Sequence, residues 1–310
     1  MVYYETRKIK NKVYNYVIHN ERKNNKWVKK SKFIGRGAVS KDKINEEIKK
    51  FEFEMKINRV YRFLSKEEIK EIELIKNCFE KYKKNAGSSG VEKLKEWFST
   101  DFTYNTNAIE GSTLSLKDVH RVLNEKKAPK NADLKEIYEV QNHKLAYEFL
   151  DNHTGGLNEK RILKIQSFIL KNIDDYNAGR YREVNVYITG SNIKLPEPEN
   201  APLLMKNLIR WYQNSKKDYH PFELAVIVSM KFVMIHPFVD GNGRVSRLIM
   251  NFLMKKYGFP EINVLFKNRE EYMECTRKAN DEKYESIIKF IIKTLKNNYK
   301  TLLFGDKKLK

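Results

Sequence analysis

The chain has 310 residues, with 61 Lys and Arg against 40 Asp and Glu and a formal net charge of +21. A hydrophobic share of 41% excludes general disorder and suits a soluble protein of one large domain or two modest ones. No apolar run reaches the roughly 18 residues of a membrane helix. Two cysteines, Cys78 and Cys275, are too few for a disulfide framework or a thiolate zinc site. We therefore expect a cytoplasmic protein without a membrane partner.

A basic β-hairpin is predicted near the start of the chain. Residues 12–18 and 26–34 alternate polar and apolar side chains, and the polar stretch 19–25 separates them. Residues 1–40 carry eleven Lys and Arg against two Glu, with aromatic residues between them. This composition is typical of a surface that binds a phosphate backbone. Because Lys and Glu are abundant throughout, an ordinary solvated surface is the favoured interpretation, and nucleic-acid binding through residues 1–40 is the alternative.

Helical periodicity follows the hairpin. Apolar residues recur at helical spacing after Ser40, and a second helix is predicted from Ser65 to about Lys84. The stretch NAGSSG at 85–90 is predicted to be a linker, because glycine and serine favour turns over helix.

Nearly every later segment also has helical periodicity. Predicted helices occupy residues 91–110, 115–127, 132–151, 158–173, 201–215, 220–235, 244–257, 268–280 and 282–299. The exception is 181–202, where Val184, Val186 and Ile188 alternate with other residues before a turn and three prolines. We expect a short β-hairpin or exposed flap there. The fold class is thus predicted to be mainly α, with a small β-hairpin flap and an N-terminal region of β-hairpin and helices.

The segment HPFVDGNGRVSR, residues 236–247, has the features of an anion-binding loop. Its glycines let backbone N–H groups point inward, and the helix predicted to begin near Arg244 adds its positive end. Arg244 and Arg247 then lie in the first turn of that helix, where their charges oppose the helix dipole. A bound polyphosphate would resolve this conflict, and so would pairing with nearby carboxylates.

His236 and Asp240 add candidate chemistry to this loop. A neutral histidine can accept the proton of a hydroxyl that attacks phosphorus. Asp240 can hold Mg²⁺ against phosphate oxygens. Taken alone, a histidine at the end of a buried helix is more often a packed core residue. Together, the loop, the cations, the carboxylate and the base indicate phosphoryl or nucleotidyl transfer.

The loop resembles the signature HxFx[DE]GNGRxxR of the Fic family at every fixed position, and the similarity extends over roughly residues 95–295. The resemblance implies a Fic-type helical bundle that moves AMP from ATP to a hydroxyl of a protein target, with Mg²⁺ (or Mn²⁺) as cofactor. It implies that His236 is the catalytic base and that Asp240 holds the metal. The residues that it assigns to the nucleotide phosphates are Gly241, Asn242, Gly243, Arg244 and Arg247.

The resemblance also implies a target-binding flap that holds the target chain by strand addition. Its residues would be Val186, Tyr187, Ile188, Thr189 and Gly190. Two features depart from the family pattern. The chain reads SNIKLPEP after the flap glycine, where many relatives have a His-x-Pro-Pro-like stretch, and Gln166 stands where relatives often carry histidine. We expect a structural role for Gln166.

A second motif lies upstream, in TNAIEGSTLSL at 106–116. It resembles the inhibitory helix of the family, [ST]xxxE[GN], with Thr106, Glu110 and Gly111 in register. From the residues alone, Gly111 is predicted to end a helix, and Ser115 is predicted to cap the next one in a capping box.

Glu110 would then lie in the last turn of its helix, where a negative charge is disfavoured. A cation would relieve this, although a carboxylate in water is the alternative. The resemblance implies that Glu110 pairs with Arg247 and blocks the site of the γ-phosphate. The protein is therefore expected to be a self-inhibited adenylyltransferase that can also remove AMP.

These interpretations divide the chain into five parts: 1–84, a basic hairpin and helices; 85–90, a linker; 91–130, the inhibitory-helix region; 131–257, the Fic catalytic core; and 258–310, C-terminal helices. The alternative function is a nucleic-acid-binding or regulatory protein that uses the basic hairpin, with the Fic core as a nucleotide sensor. The sequence does not identify the target protein, and the protein itself is one candidate. It also leaves open whether a homodimer forms.

Overall fold

The computed structural model describes residues 2–23, 26–57, 61–187 and 193–300. The chain divides into two compact units, Met1–Lys70 and Glu71–Lys310, which we call the N-terminal and C-terminal units. In the described ranges, no helix combines the length and the apolar character needed to cross a membrane.

The N-terminal unit is a three-stranded antiparallel sheet with one helix. Its elements are β1 (Val2–Ile9), β2 (Lys12–Lys23), β3 (Lys26–Arg36) and α1 (Lys41–Ile57), and β2 is the central strand. One face of the sheet packs on α1 through a core of Val2, Val17, Ile34 and Phe51. The sequence predicts only the β2–β3 hairpin, with shorter strands. β1 was missed because tyrosines and charged residues obscure its period-2 pattern.

The predicted linker at 85–90 coincides with a kink between two helical halves. α2 (Lys66–Ile109) continues across it, with a kink at Gly87, whose φ of 64° and ψ of −177° are not helical. The break predicted from glycine and serine is therefore present at Gly87, but the helical residues on either side extend further into 85–90 than their low helix propensity predicts. Both halves of α2 are anchored by buried apolar residues, among them Ile72 and Phe102. The division between the two units lies at Lys70–Glu71 rather than at 85–90.

The end of α2 has the predicted cap. The N–H of Gly111 donates to the carbonyl of Ala108, and the N–H of Ser112 donates to that of Asn107, both at 3.0 Å. This is a Schellman arrangement, and Gly111 accommodates its φ of 107°. The predicted capping box at Ser115 is also present at the start of α3.

The remaining elements are helical, and the prediction of a mainly α fold is confirmed. They are α3 (Leu116–His120), continued by a π-helical turn at Arg121–Glu125, then α4 (Leu134–Asp151), α5 (Glu159–Ile169), α6 (Ala201–Ser215), α7 (Pro221–Ile235), α8 (Asn242–Lys256), α9 (Arg269–Ala279) and α10 (Glu285–Asn298). α7 is apolar on all sides and buried, and it packs on α6, α8 and α10. The loop that joins α7 to α8 is therefore held by the core.

Candidate active site

The loop between α7 and α8 turns sharply at both ends. At its start, His236 has a left-handed backbone with a φ of 49°, and Pro237 follows it, so that the helix stops. At its end, Gly241 has a φ of 83°, and a Cβ added there would lie 2.8 Å from a methyl carbon of Ile169. Glycine is therefore required at the entry to α8.

Asn242 closes this loop with its side chain. Its Oδ1 accepts a hydrogen bond from the N–H of Phe238 at 3.0 Å, and its Nδ2 donates to the carbonyl of Phe238 at 2.8 Å. α8 begins at Asn242, two residues earlier than predicted. Arg247 consequently lies in the second turn of α8, where the dipole of the helix opposes its charge only weakly.

A backbone hydrogen bond fixes the tautomer of His236. Its Nδ1 lies 3.1 Å from the carbonyl oxygen of Val233. Because a carbonyl only accepts, Nδ1 carries the proton and Nε2 keeps its lone pair. Burial lowers the pKa of His236 below its usual range, and the hydrogen bond to Val233 opposes this only in part. The imidazole is thus neutral at pH 7, with a free acceptor at Nε2.

The two motifs meet at Arg247. Its Nη2 donates to Glu110 Oε1 at 2.6 Å and to the carbonyl of Thr106 at 3.1 Å, and its Nε donates to Thr106 Oγ1 at 2.7 Å. The guanidinium is buried, and the ring of Tyr272 lies 6.0 Å from it. Three acceptor contacts from the end of α2 thus fix an arginine of α8.

The carboxylate of Glu110 also fills the space above the first turn of α8. A Cβ added to Gly243 would collide with Glu110 Oε1 and would lie 3.4 Å from Arg247 Nη1. A negative group therefore already occupies the place where the helix N-terminus and the arginine would attract an anion.

Arg244 is held by two carboxylates. Its Nη1 lies 3.1 Å from Glu139 Oε1 on α4, and its Nη2 lies 3.2 Å from Asp240 Oδ2. Its side chain is buried, so the charge needs these partners. The pairing with carboxylates, one of the two outcomes left open by the sequence, is the arrangement in the structure.

Arg182 fastens the loop to the segment that follows α5. Its backbone N–H donates to the carbonyl of Pro237 at 2.9 Å, and its Nε donates to that of His236 at 2.8 Å. The same guanidinium donates to the carbonyl of Val184 at 3.1 Å and to that of Pro196. One buried side chain thus joins the backbone of the candidate base to both stems of the predicted flap.

The predicted flap is described only in part. Val186 and Tyr187 lie in the described residues 181–187, which contain no strand. Tyr187 is 91% exposed. Ile188, Thr189 and Gly190 lie outside the described residues, so the predicted hairpin remains a prediction.

Gln166 supports the loop from α5. Its Nε2 donates to the carbonyl of Asp240 at 3.3 Å, and its Oε1 accepts from the N–H of Gly179. Since both contacts are to backbone atoms of neighbouring segments, the expected structural role of Gln166 agrees with its surroundings.

Comparisons with known proteins place this site in a family. The model of the Fic/DOC family matches residues 156–254. These residues form a domain of the Fic/DOC family. The family resemblance inferred from the loop is thereby confirmed. Glu110, the residue after α2, lies outside the matched residues.

Relatives of the Fic domain extend the similarity beyond these residues. The chain is 29% identical over 208 residues to "Protein adenylyltransferase Fic" of Drosophila ananassae, and the aligned region covers 66% of this chain and 41% of that protein. It is 29% identical over 211 residues to the protein of the same name from Nematostella vectensis, covering 66% and 49%. The chain thus spans less than half the length of these curated relatives.

A solved structure is similar to both the Fic domain and its surroundings. It is a Fic domain containing signaling protein from Bacteroides thetaiotaomicron, with a TM-score of 0.67 and 25% identity over 74% of this chain and 96% of that chain.

Two residues around the Fic loop were missed by the sequence analysis. Glu139 is one charged residue among many on α4, and Arg182 is one of many cations, so neither has a sequence signal of its own. The available clue is indirect. An arginine in a buried loop requires acceptors, but only the packing of α4 on α8 shows that Glu139 supplies one.

Proposed function

We propose that this protein is a protein adenylyltransferase that Glu110 holds in an inhibited state. The observation that carries the proposal is the carboxylate of Glu110 beside Gly243 and Arg247, where the loop would otherwise receive an anion. The curated relatives named protein adenylyltransferase Fic support the same activity.

The reaction follows from the groups in the loop. The oxygen of a target hydroxyl forms a bond to the α-phosphorus of ATP while its proton passes to Nε2 of His236. The bond from the α-phosphorus to the bridging oxygen breaks, and pyrophosphate leaves. The N–H groups of Gly241 to Gly243 and the guanidinium of Arg247 bind the phosphates. The exposed segment that contains Val186 and Tyr187 would present the target chain.

Inhibition by Glu110 is electrostatic and steric. A carboxylate and a phosphate cannot both occupy the space over the start of α8, and the two negative charges repel each other. Arg247 must also release Glu110 before it can contact the nucleotide. ATP therefore binds productively only after Glu110 moves away.

Asp240 is the carboxylate that fits a divalent metal. Its side chain is 51% exposed, and both of its oxygens lie near Arg244 Nη2, at 3.3 and 3.2 Å. Oδ1 also accepts a hydrogen bond from the N–H of Gly241, so a metal would share this carboxylate with the arginine. The described residues contain no group of three His, Cys, Asp or Glu side chains that could hold a metal by themselves. Mg²⁺ is often held by one carboxylate together with substrate phosphates. Mg²⁺ or Mn²⁺ bound in this way would neutralise charge on the phosphates.

The proposal is tested with ATP labelled at either the α- or the γ-phosphate. Glu110→Gly should transfer the α-label to protein in a lysate or to itself, whereas the γ-label should stay in solution. The double variant that also carries His236→Ala should transfer no label. Excess chelator should abolish transfer by Glu110→Gly, and Mg²⁺ or Mn²⁺ should restore it. Transfer of the γ-label would indicate a kinase, and transfer that persists in chelator would remove Asp240 from the mechanism.

Removal of AMP is a second activity that this position of Glu110 supports. Its negative charge acts on His236 as well as on Arg247, so the carboxylate can orient a water molecule near the base. Wild-type protein should then release AMP from a target that Glu110→Gly has labelled, and Glu110→Gly should not. Equal release by both proteins would contradict this role.

A further inference from the structure

The sheet of the N-terminal unit has two different faces. The face that carries Val2, Val17 and Ile34 packs on α1. Side chains on the other face contact one another across all three strands. The guanidinium of Arg7 lies 4.4 Å from the ring centre of Tyr16, which lies 5.6 Å from that of Phe33. We call this side of the sheet the aromatic face. The residues of this face used below are Arg7, Tyr14, Tyr16, Trp27, Lys29 and Phe33.

Two aromatic rings of this face are open to solvent. Phe33 is 53% exposed and Trp27 is 73% exposed. Both lie on β3, six residues apart, which corresponds to a separation of about 20 Å along the strand. Tyr14 and Tyr16 flank Phe33 with ring centres at 6.1 and 5.6 Å. The register places the buried Ile18 on the same face between the two rings, so Phe33 and Trp27 offer two separate stacking positions.

The charge of the aromatic face is positive. Glu5 lies on this face and accepts hydrogen bonds from Arg7 at 2.8 Å and from Lys29 at 2.9 Å. The two cations therefore offset the negative charge of Glu5. The register places Lys12 and Arg36 on the same side of the sheet as Tyr14, and both are exposed. The aromatic face therefore has cations at its centre and at its end.

We propose that the aromatic face binds single-stranded nucleic acid. Phe33 and Trp27 stack on unpaired bases, and the cations contact phosphates. Base-aromatic stacking contributes roughly 5- to 150-fold in affinity per base and tolerates any base sequence. A single strand is favoured over a duplex because its bases are free to stack on the exposed rings. The proposal is independent of the transfer reaction.

Binding is tested with the full chain and fluorescein-labelled oligo-dT and oligo-U of 15 nucleotides, read by fluorescence anisotropy at 50 and 200 mM NaCl. We expect binding that weakens with salt. Trp27→Ala/Phe33→Ala should weaken it at least ~10-fold, and the matched control Trp97→Ala, which removes a 62% exposed ring from α2, should not. The two oligonucleotides show whether RNA or DNA is preferred.

Charge variants separate stacking from simple attraction. Lys12→Glu/Arg36→Glu should weaken binding and flatten its salt dependence, whereas Lys206→Glu on α6 should leave both nearly unchanged. Wild-type binding that is absent at 50 mM salt would overturn the proposal. So would binding that the ring variant retains in full, a 15-base-pair duplex that binds tenfold more tightly, or polyglutamate that competes as well as the oligonucleotide. Unchanged melting temperatures establish that the variants are folded.

Discussion

Arg247 Nη2 and Glu110 Oε1 lie 2.6 Å apart and join the residue that follows α2 to the second turn of α8. The carboxylate is disfavoured by the dipole of its own helix but is favoured by the N-terminus of α8 and by the guanidinium. The carboxylate of Glu110 thus lies where the N-terminus of α8 and Arg247 would attract an anion. We propose that the pair excludes the phosphates of a nucleotide from this place.

His236→Ala should abolish transfer without disturbing nucleotide binding. In a Glu110→Gly background we expect the rate to fall at least ~100-fold, the usual contribution of a positioned base, while the affinity for ATP stays the same. His120→Ala, at an exposed site, is the control. Transfer rates from labelled ATP and calorimetric ATP affinities check both points.

The pH profile should show the same base. Because burial lowers the pKa of His236, the neutral form dominates at pH 7, and the rate should change little above that pH and fall as acid protonates Nε2. A rate that still rises between pH 7 and pH 8 would assign the base to another group.

Much of this site can be derived from local sequence, because glycines and helix signals act over a few residues. The loop at 236–247, the capping box at Ser115 and the glycine that ends α2 all have local causes. The sequence also indicates a break at 85–90, where α2 kinks at Gly87, but it predicts a longer non-helical stretch than the structure has. Glu139 could not be predicted, since its contact with Arg244 depends on how α4 packs on α8.

Glu139→Gln should destabilise the protein by about 2 kcal/mol, because it removes one of the two carboxylates that hold the buried charge of Arg244. In a Glu110→Gly background it should also slow transfer, since Arg244 and its partner Asp240 lose their fixed positions. The matched control is Glu148→Gln, also on α4, which removes an exposed pair with Lys144 and should cost less than about 0.5 kcal/mol. Urea unfolding measures both, and equal losses would show that the pair with Arg244 has no special weight.

Glu261 should make the stability of the protein depend on pH. Burial raises the pKa of its carboxyl from 4.5 to about 7, and the hydroxyl of Tyr147 donates to it at 3.1 Å. Because the folded state holds this proton more tightly than the unfolded state, stability is fully present below pH 4.5 and is lost as pH rises through 7.

Glu261→Gln removes this dependence. The variant should gain on the order of 2 kcal/mol over the wild type at pH 8 relative to their difference at pH 5. Urea unfolding at the two pH values measures the change. Parallel pH profiles for the two proteins would show that Glu261 titrates normally.

The most direct test of inhibition by Glu110 compares AMP transfer by four proteins: wild type, Glu110→Gly, Arg247→Ala and the double variant. Loss of the carboxylate frees both the anion site and Arg247, whereas loss of the arginine breaks the same pair but also removes a phosphate ligand. Glu110→Gly should be at least ~10-fold faster than wild type, since tenfold corresponds to only about 1.4 kcal/mol of the barrier. Arg247→Ala should not be activated, and the double variant should fall back to its level. A Glu110→Gly protein no faster than wild type, or an Arg247→Ala protein activated to the same extent, would contradict the account.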